Sequence, residues 1–336
     1  MEEKKKKFNY IERFKDPSFK IARKGKWYAI APALVIIAGF IVMLVVNFNL
    51  GLDFTGGRRI SIRIEDEAQY AQFRPEIQAV FNEFRNEHGS SFSITRIEVD
   101  NIYIEVEFQN VSGMNDEEME ELTTTIMESI RDRIHAGHAV TAHVDLIGVT
   151  SARASGDFIV NTLIAATAIL VMILIYMFFR FKFTSGMAAI IGLFHDILVM
   201  MALVAIFQIQ LNSAIIAAIA TVLVYSLNNT LVVFDRIRSA EKDNTAGLST
   251  EEIVDKCVKE TFTRTMNTTI TTLVPLFVLI ILGVPAIREF TVPILFGLIA
   301  GTFSTIFVTT SLYVRFENAK QAAVRRKKKK LAGRVA

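Results

Sequence analysis

The 336-residue chain has a single cysteine, Cys257, so no internal disulfide can staple it and an extracellular disulfide scaffold is excluded. It has no Gly-x-x-x-x-Gly-Lys-Ser/Thr loop to cradle a nucleotide, which argues against ATP as a fuel. No nucleophile stands beside a histidine in a recognisable order. Hydrolysis is therefore not expected, and the chain is read as a non-enzyme with no cofactor. Lysine is absent from residues 49–156, where nineteen Asp/Glu stand against nine Arg. The net charge of +3 thus sums segments of opposite sign.

What the chain has in abundance is apolar sequence, 51% of its residues, gathered into long runs. Crossing a hydrocarbon core takes about 20 apolar residues as a helix. Runs at 27–48, 157–181, 183–207, 211–234, 262–283 and 289–314 meet that length. A purely cytosolic protein is excluded. The expected fold is an α-helical polytopic membrane protein with six transmembrane helices. Residues 1–27 carry ten Lys/Arg against four acids, and residues 314–336 carry nine against Glu317 alone. Flanks rich in Lys/Arg stay in the cytoplasm. The ends, 1–26 and 315–336, are therefore expected inside a cell (cytoplasmic) membrane, against anionic lipid rather than nucleic acid. Residues 49–156 are expected outside. Two cytoplasmic ends demand an even number of spans, and six satisfies that. The first run exceeds a signal-peptide core, and 47–54 lacks a small-x-small cleavage pattern, so it reads as a retained anchor. Residues 235–261 form an expected cytoplasmic loop, in which Ser249 and Glu252 have the spacing of a capping box ahead of Ile253, Val254 and Val258.

The acidic insert has its own pattern. Ile60, Ile62 and Ile64 alternate with Ser61 and Arg63, and 68–87 has helical spacing through Phe73, Ile77, Val80, Phe81 and Phe84. Two alternating runs, 92–99 and 102–108, meet at Asp100-Asn101, a hairpin signal. A helix over 115–134, with Met119, Leu122, Ile126 and Ile130 inside, and a strand over 140–149 complete it. The order strand, helix, strand, strand, helix, strand predicts an inserted α+β ferredoxin-like domain. His88, His135, His138 and His143 lie in it without a thiol or ordered acidic set, so they read as solvated loop histidines and no metal site is expected.

Ionisable groups inside a span are costly, and each needs a reason. Asp196 lies in the middle of the third span with His195 on an adjacent face, and no pairing between them is required. Asn228 and Asn229 precede Asp235-Arg236 in the fourth, and Tyr225 is expected on the face of Asn229. In the fifth, Arg264, Asn267, Thr268 and Thr271 recur as one polar stripe. At about 1.5 Å per residue, Asn229 and Arg264 both sit about 7–9 Å inside the boundary. The two spans joined by the cytoplasmic loop are expected to bring them face to face along a polar path. Gly297-x-x-x-Gly301 reads as a close-packing motif rather than a site.

Taken together, these residues resemble the SecF side of the SecD/SecF family of the bacterial Sec protein-export machinery, in the RND superfamily. The resemblance lies in Gly51-Leu52-Asp53-Phe54-Thr55-Gly56-Gly57 after the first span and in Leu193-Phe194-His195-Asp196. It continues through Tyr225 to Arg238, Thr263-Arg264-Thr265 with Thr268 to Leu273, and Gly301 to Phe307, covering essentially the whole chain. It implies half of a SecD–SecF pair that uses the proton gradient to help pull secretory polypeptides outward. It also implies association with the SecYEG channel, and with YajC or YidC-like proteins in some organisms. Asp53, Gly56 and Gly57 would then be a hinge between the first span and the insert, and Asp235 and Arg236 motif residues. One departure stands out: the family's usual Asn-Asp-Thr is here Asn228-Asn229-Thr230, and an amide neither gains nor loses a proton near neutral pH. Either the partner supplies the acid, or Asp196 substitutes, or another ion or weak coupling is involved. An RND-type exporter of lipids or small molecules is the alternative reading, and a membrane-anchored sensor a third.

Overall fold

The computed structural model describes residues 25–64, 70–88, 94–99, 103–111, 113–138, 140–244, 247–282 and 285–335. The basic segment 1–24 and the Asp100-Asn101 turn lie outside the described residues. In chain order, a one-turn helix (Gly25–Tyr28) leads into α1 (Ile30–Val46), and another (Leu52–Thr55) precedes β1 (Gly57–Ile64). A 3-10 turn (Tyr70–Phe73) opens α2 (Arg74–His88), followed by β2 (Ile94–Val99), β3 (Ile104–Phe108), α3 (Asp116–His138) and β4 (Ala142–Thr150). Then come α4 (Ala152–Arg180), α5 (Phe183–Ile206), α6 (Ala214–Lys242), α7 (Thr250–Leu282) and α8 (Pro285–Phe303). A π-helical stretch (Ser304–Thr309) joins α8 to α9 (Thr310–Val335). These elements form two compact units. One takes the described residues up to 47, those of 166–209 and those from 214 on; the other takes those of 48–165 together with 210–213.

The first unit is helical. Five helices, within α4, α5, α6, α7 and the run from α8 into α9, are long and apolar enough to cross a membrane, and α1 is a shorter apolar helix of 17 residues. Leu34, Phe40, Phe277 and Ile281 point out of the unit, an apolar surface that suits hydrocarbon and not water. The helices close on one another through small residues, as membrane helices do. A Cβ at Gly39 would overlap Ala202, one at Gly192 would overlap Thr309, and one at Gly297 would overlap Val222.

Most of the expected loop 235–261 is helix, because α6 runs on to Lys242 and α7 begins at Thr250. Ile253, Val254, Cys257 and Val258 are buried at helical spacing, so this stretch is an amphipathic extension of the span rather than a linker. Its start is the capping box: Ser249 N–H and Oγ–H donate to Glu252 Oε2 at 2.9 and 2.8 Å, and Glu252 N–H donates back to Ser249 Oγ at 3.4 Å. Likewise the basic stretch after 314 continues the last helix, α9, to Val335.

The second unit holds a four-stranded antiparallel sheet in the order β2-β3-β1-β4. Ile60, Ile62, Ile104, Val106, Phe108, Ala142 and Val144 turn one face towards α2 and α3, whose Ile77, Phe81, Met119, Ile126 and Ile130 complete the core. The first turn of α3 carries Asp116, Glu117 and Glu118, favourable at a helix N-terminus, and Asn115 and Glu118 cap each other at 2.8 and 2.9 Å. Two histidines expected in a loop lie on α3 instead. His138 Nε2 meets Glu76 Oε1 at 2.7 Å, and its ring stands edge-on to Phe73. Among the described residues no group of His, Cys, Asp and Glu is arranged to hold a metal.

Candidate functional site

The buried polar residues of the first unit form a belt between α5, α6, α7 and α8. Asp196 on α5 is 0% exposed. Its Oδ2 accepts from the Ser226 hydroxyl of α6, and its Oδ1 lies 3.0 Å from His195 Nδ1. The adjacent faces did not require these two to pair, and the structure brings them together. His195 Nε2 is buried with no hydrogen-bond partner. Gly301 on α8 closes the third side, where a Cβ would lie 3.0 Å from Ser226 Cβ and 3.4 Å from Asp196 Oδ2. The Gly297-x-x-x-Gly301 motif is therefore close packing and part of this site at once.

One turn along α6 from Ser226, Asn229 is 5% exposed and Thr230 is buried beside it. Thr230 Oγ1 lies 3.1 Å from Thr305 Oγ1 in the π-helical stretch, and Thr269 Oγ1 of α7 lies 2.8 Å from Thr302 Oγ1 of α8. Tyr225 is half-buried and Asn228 exposed, so the inward row of α6 is 226, 229 and 230 rather than the face shared by Tyr225 and Asn229.

Arg264 is not on this belt. It is exposed, as is Asn267, and Thr268 is half-buried, its hydroxyl donating to the Arg264 carbonyl at 2.9 Å. The guanidinium has no hydrogen-bond or ion-pair partner among the described residues. The expected face-to-face arrangement of Arg264 with Asn229 is corrected: α7 turns Thr261, Thr265 and Thr269 inward. Small hydroxyl residues fit the tight contact with α8, whereas an Arg turned inward without an anion would be a buried unpaired charge. Beyond the belt, Arg180 donates to both carboxylate oxygens of Asp235 at 2.6 and 2.7 Å, and Arg236 pairs with Glu260 at 2.5 Å.

In the second unit, the segment after α1 is fixed by the short turn that joins α5 to α6. Gly51 N–H donates to the Leu211 carbonyl at 2.7 Å and Leu211 N–H to the Asn49 carbonyl at 2.8 Å, a parallel bridge of Leu50 with Leu211. Asp53 Oδ2 accepts from Ser213 N–H at 2.6 Å. Gln210, 6% exposed, accepts from Arg96 at 2.6 Å and donates to Glu107 Oε2 at 2.6 Å, while Arg59 pairs with the other oxygen of Glu107. Gly56 and Gly57 have φ of 71° and 147°, and a Cβ at Gly57 would overlap the Phe108 carbonyl. Gly57 is thus paired into the sheet, opposite Thr150.

A family model described as protein export membrane protein SecD/SecF, C-terminal, matches residues 128–319, more than half of the chain, and the SecD/SecF GG motif matches residues 42–68. The chain belongs to the SecD/SecF family. It is 28% identical over 307 residues to the protein translocase subunit SecDF of Thermus thermophilus, covering 91% of this chain and 40% of that one. With the protein translocase subunit SecF of Petrotoga mobilis it shares 26% over 298 residues, 89% of this chain and 96% of the relative. The crystal structure of SecDF from Thermus thermophilus, described as a translocon-associated membrane protein, superposes with a TM-score of 0.69 at 28% identity, over 90% of this chain and 39% of that one. This chain therefore spans about two fifths of its SecDF relatives and nearly the whole of that SecF.

The SecD/SecF GG motif match brackets Asp53, Gly56 and Gly57. The residues that sequence reasoning passed over are Ser226, Gly301, Thr305 and Gln210. Ser226 and Gly301 stood inside the SecD/SecF segments already singled out, but nothing in their spacing said that both face Asp196. Gln210 gave one signal only, an amide pair flanking Ile209 in a turn between two apolar runs.

Proposed function

We propose that this chain is the SecF half of a Sec protein-export machinery, pairing with a SecD-like half to promote outward movement of secretory polypeptides at the expense of an ion gradient. Six spans, with α1 at the short end of the roughly 17–25 residues that suffice, would put both ends in the cytoplasm and the α+β insert outside. The antiparallel order β2-β3-β1-β4 within a β-α-β-β-α-β chain supports reading that insert as ferredoxin-like. SecYEG, and YajC or YidC-like proteins, are the further partners this reading brings, with the translocating polypeptide and the bilayer; no catalysis, cofactor or nucleic acid is part of it. Asp53, Gly56 and Gly57, with Asp235 and Arg236, would transmit movement rather than carry ions.

The observation that carries the pairing is the exposed row of α7. Arg264, Asn267 and Thr271 are exposed on a helix whose length and hydropathy fit a membrane span. A guanidinium turned towards hydrocarbon is costly. A second half with a carboxylate at that level would neutralise it, and would provide an acid where this chain has Asn229.

The test is depletion of the protein in its host followed by pulse-labelling of a signal-bearing secreted protein. Precursor should accumulate, and wild type but not Arg264→Ala should clear it at equal protein level. Unchanged export with altered lipid or drug efflux would transfer the reading to an RND-type exporter.

A further inference from the structure

Among the described residues of the first unit, Asp196 is the one Asp, Glu, Lys or Arg that is fully buried. A carboxylate without a cation is a costly thing to place in a membrane span, and such residues mark ion pathways. Its surroundings are specific. His195 Nδ1 stands 3.0 Å from Oδ1, the Ser226 hydroxyl donates to Oδ2, and Gly301 leaves room beside that oxygen. Among the described residues, α6, α8 and the π-helical stretch bring no countercharge to it. On α6 the nearby groups are Tyr225, Ser226, Asn229 and Thr230, and on α8 and the π-helical stretch they are Gly301, Thr302 and Thr305. The charged residues of α6 begin at Asp235, nine positions on from Ser226, about 13 Å at the helical rise. Those of α8, Arg288 and Glu289, lie still further from Gly301 along their helix.

We propose that His195 and Asp196 form a one-proton carrier site, the ion-binding element of this half. The inference rests on the export reading above and gives it a chemical centre. In the unloaded pair, neutral His195 donates its Nδ1–H to Oδ1 and Ser226 donates to Oδ2, so the pair carries one negative charge. Nε2, buried with no partner, is the open position. A proton arriving there forms a new N–H bond. The Nδ1–H bond then breaks and its proton crosses to Oδ1, leaving a neutral imidazole, now protonated at Nε2, beside a carboxylic acid. The pair has gained one proton and lost its charge, and the reverse sequence releases it. Neutralising Asp196 weakens the charge-assisted bond from Ser226. That bond lies in the contact of α5 with α6 and α8, so loading the site acts directly on helix packing.

The proposal is tested first without export. The full-length chain in lipid nanodiscs is titrated from alkaline to acid buffer by infrared difference spectroscopy. A protonated-carboxyl C=O band should grow in, be lost in Asp196→Asn, and shift its midpoint in His195→Gln. An identical band in Asp196→Asn would overturn the proposal, as would a response to sodium at fixed pH in place of the response to acid. In the host, Asp196→Asn keeps the shape and hydrogen-bonding capacity of the site, so it should reach normal protein level while export falls to that of depleted cells. Asn229→Asp, added to Asp196→Asn, restores a carboxylate on the buried row of α6, one turn from Ser226, and should recover export. If Arg264→Ala stops export and Asp196→Asn does not, the export reading stands and this site falls. If neither variant matters, both fall.

Discussion

Gln210 donates a 2.6 Å hydrogen bond to Glu107, a carboxylate that is 2% exposed on the sheet of the insert unit. The amide serves two charges at once, since its oxygen also accepts from Arg96. Gln210→Ala leaves both ends of that bridge short of a partner. Removing one member of a buried hydrogen-bonded set costs about 1–3 kcal/mol. The expected result is faster hydrogen exchange and proteolysis in β2 and β3 of the full-length protein, with α5 and α6 unaffected. Unchanged exchange there would mean that Arg59 alone satisfies Glu107.

Gly57 and Gly113 make a matched pair. Both have positive φ, but a Cβ at Gly57 meets the Phe108 carbonyl, whereas one at Gly113 meets nothing within 4 Å. Backbone strain of this kind costs about 1–3 kcal/mol. Gly113→Ala should therefore lower stability by roughly that amount, and Gly57→Ala by clearly more, because β1 must also move off β3. Thermal melting of the purified protein, with protein level in the membrane as a second readout, checks the ranking.

Gly301→Ala tests the helix contact rather than the chemistry. The new methyl would sit 3.0 Å from Ser226 Cβ, tighter than ordinary contact, and overpacking costs typically about 1–3 kcal/mol. The variant should fold, melt lower and export less. Adding Ser226→Gly should return much of the melting temperature while leaving the Asp196 acceptor without its donor. Stability and export would then separate in one double-mutant cycle.

Arg264→Ala should leave the melting temperature of this chain almost unchanged, since the side chain is exposed and has no partner among the described residues. Co-purification of the proposed SecD-like half, or its resistance to dissociation by detergent, should fall. A large loss of stability in the isolated chain would place Arg264 inside its own bundle after all.

The elements were readable where local physics decides them. Alternation in β1 and β3, the spacing of Met119, Leu122, Ile126 and Ile130 in α3, and the Ser249 to Glu252 box all appear where the residues put them. The orientation of α7 was not readable. Its segment Arg264 to Thr272 offers two adjacent polar rows, and periodicity alone cannot say which faces inward. The structure turns the row of Thr261, Thr265 and Thr269 in, because that row is small enough for the contact with α8. Pairing of His195 with Asp196 was hidden for a related reason: helical spacing fixes where a side chain leaves the backbone, not where a long ring ends.

The turn at 210–213 changes what the insert is as an engineering object. A domain placed between two helices is joined by two chain passages and can be cut out as a cassette. This one is joined by four, since residues 210–213 belong to it while α5 and α6 on either side do not. Deleting 48–165 would strip Leu211 of its backbone partners and Ser213 N–H of the Asp53 carboxylate, and leave Gln210 facing none of its charges. A chimera carrying a relative's insert would therefore need that relative's four-residue turn as well, transplanted at a second site that begins only at Gln210.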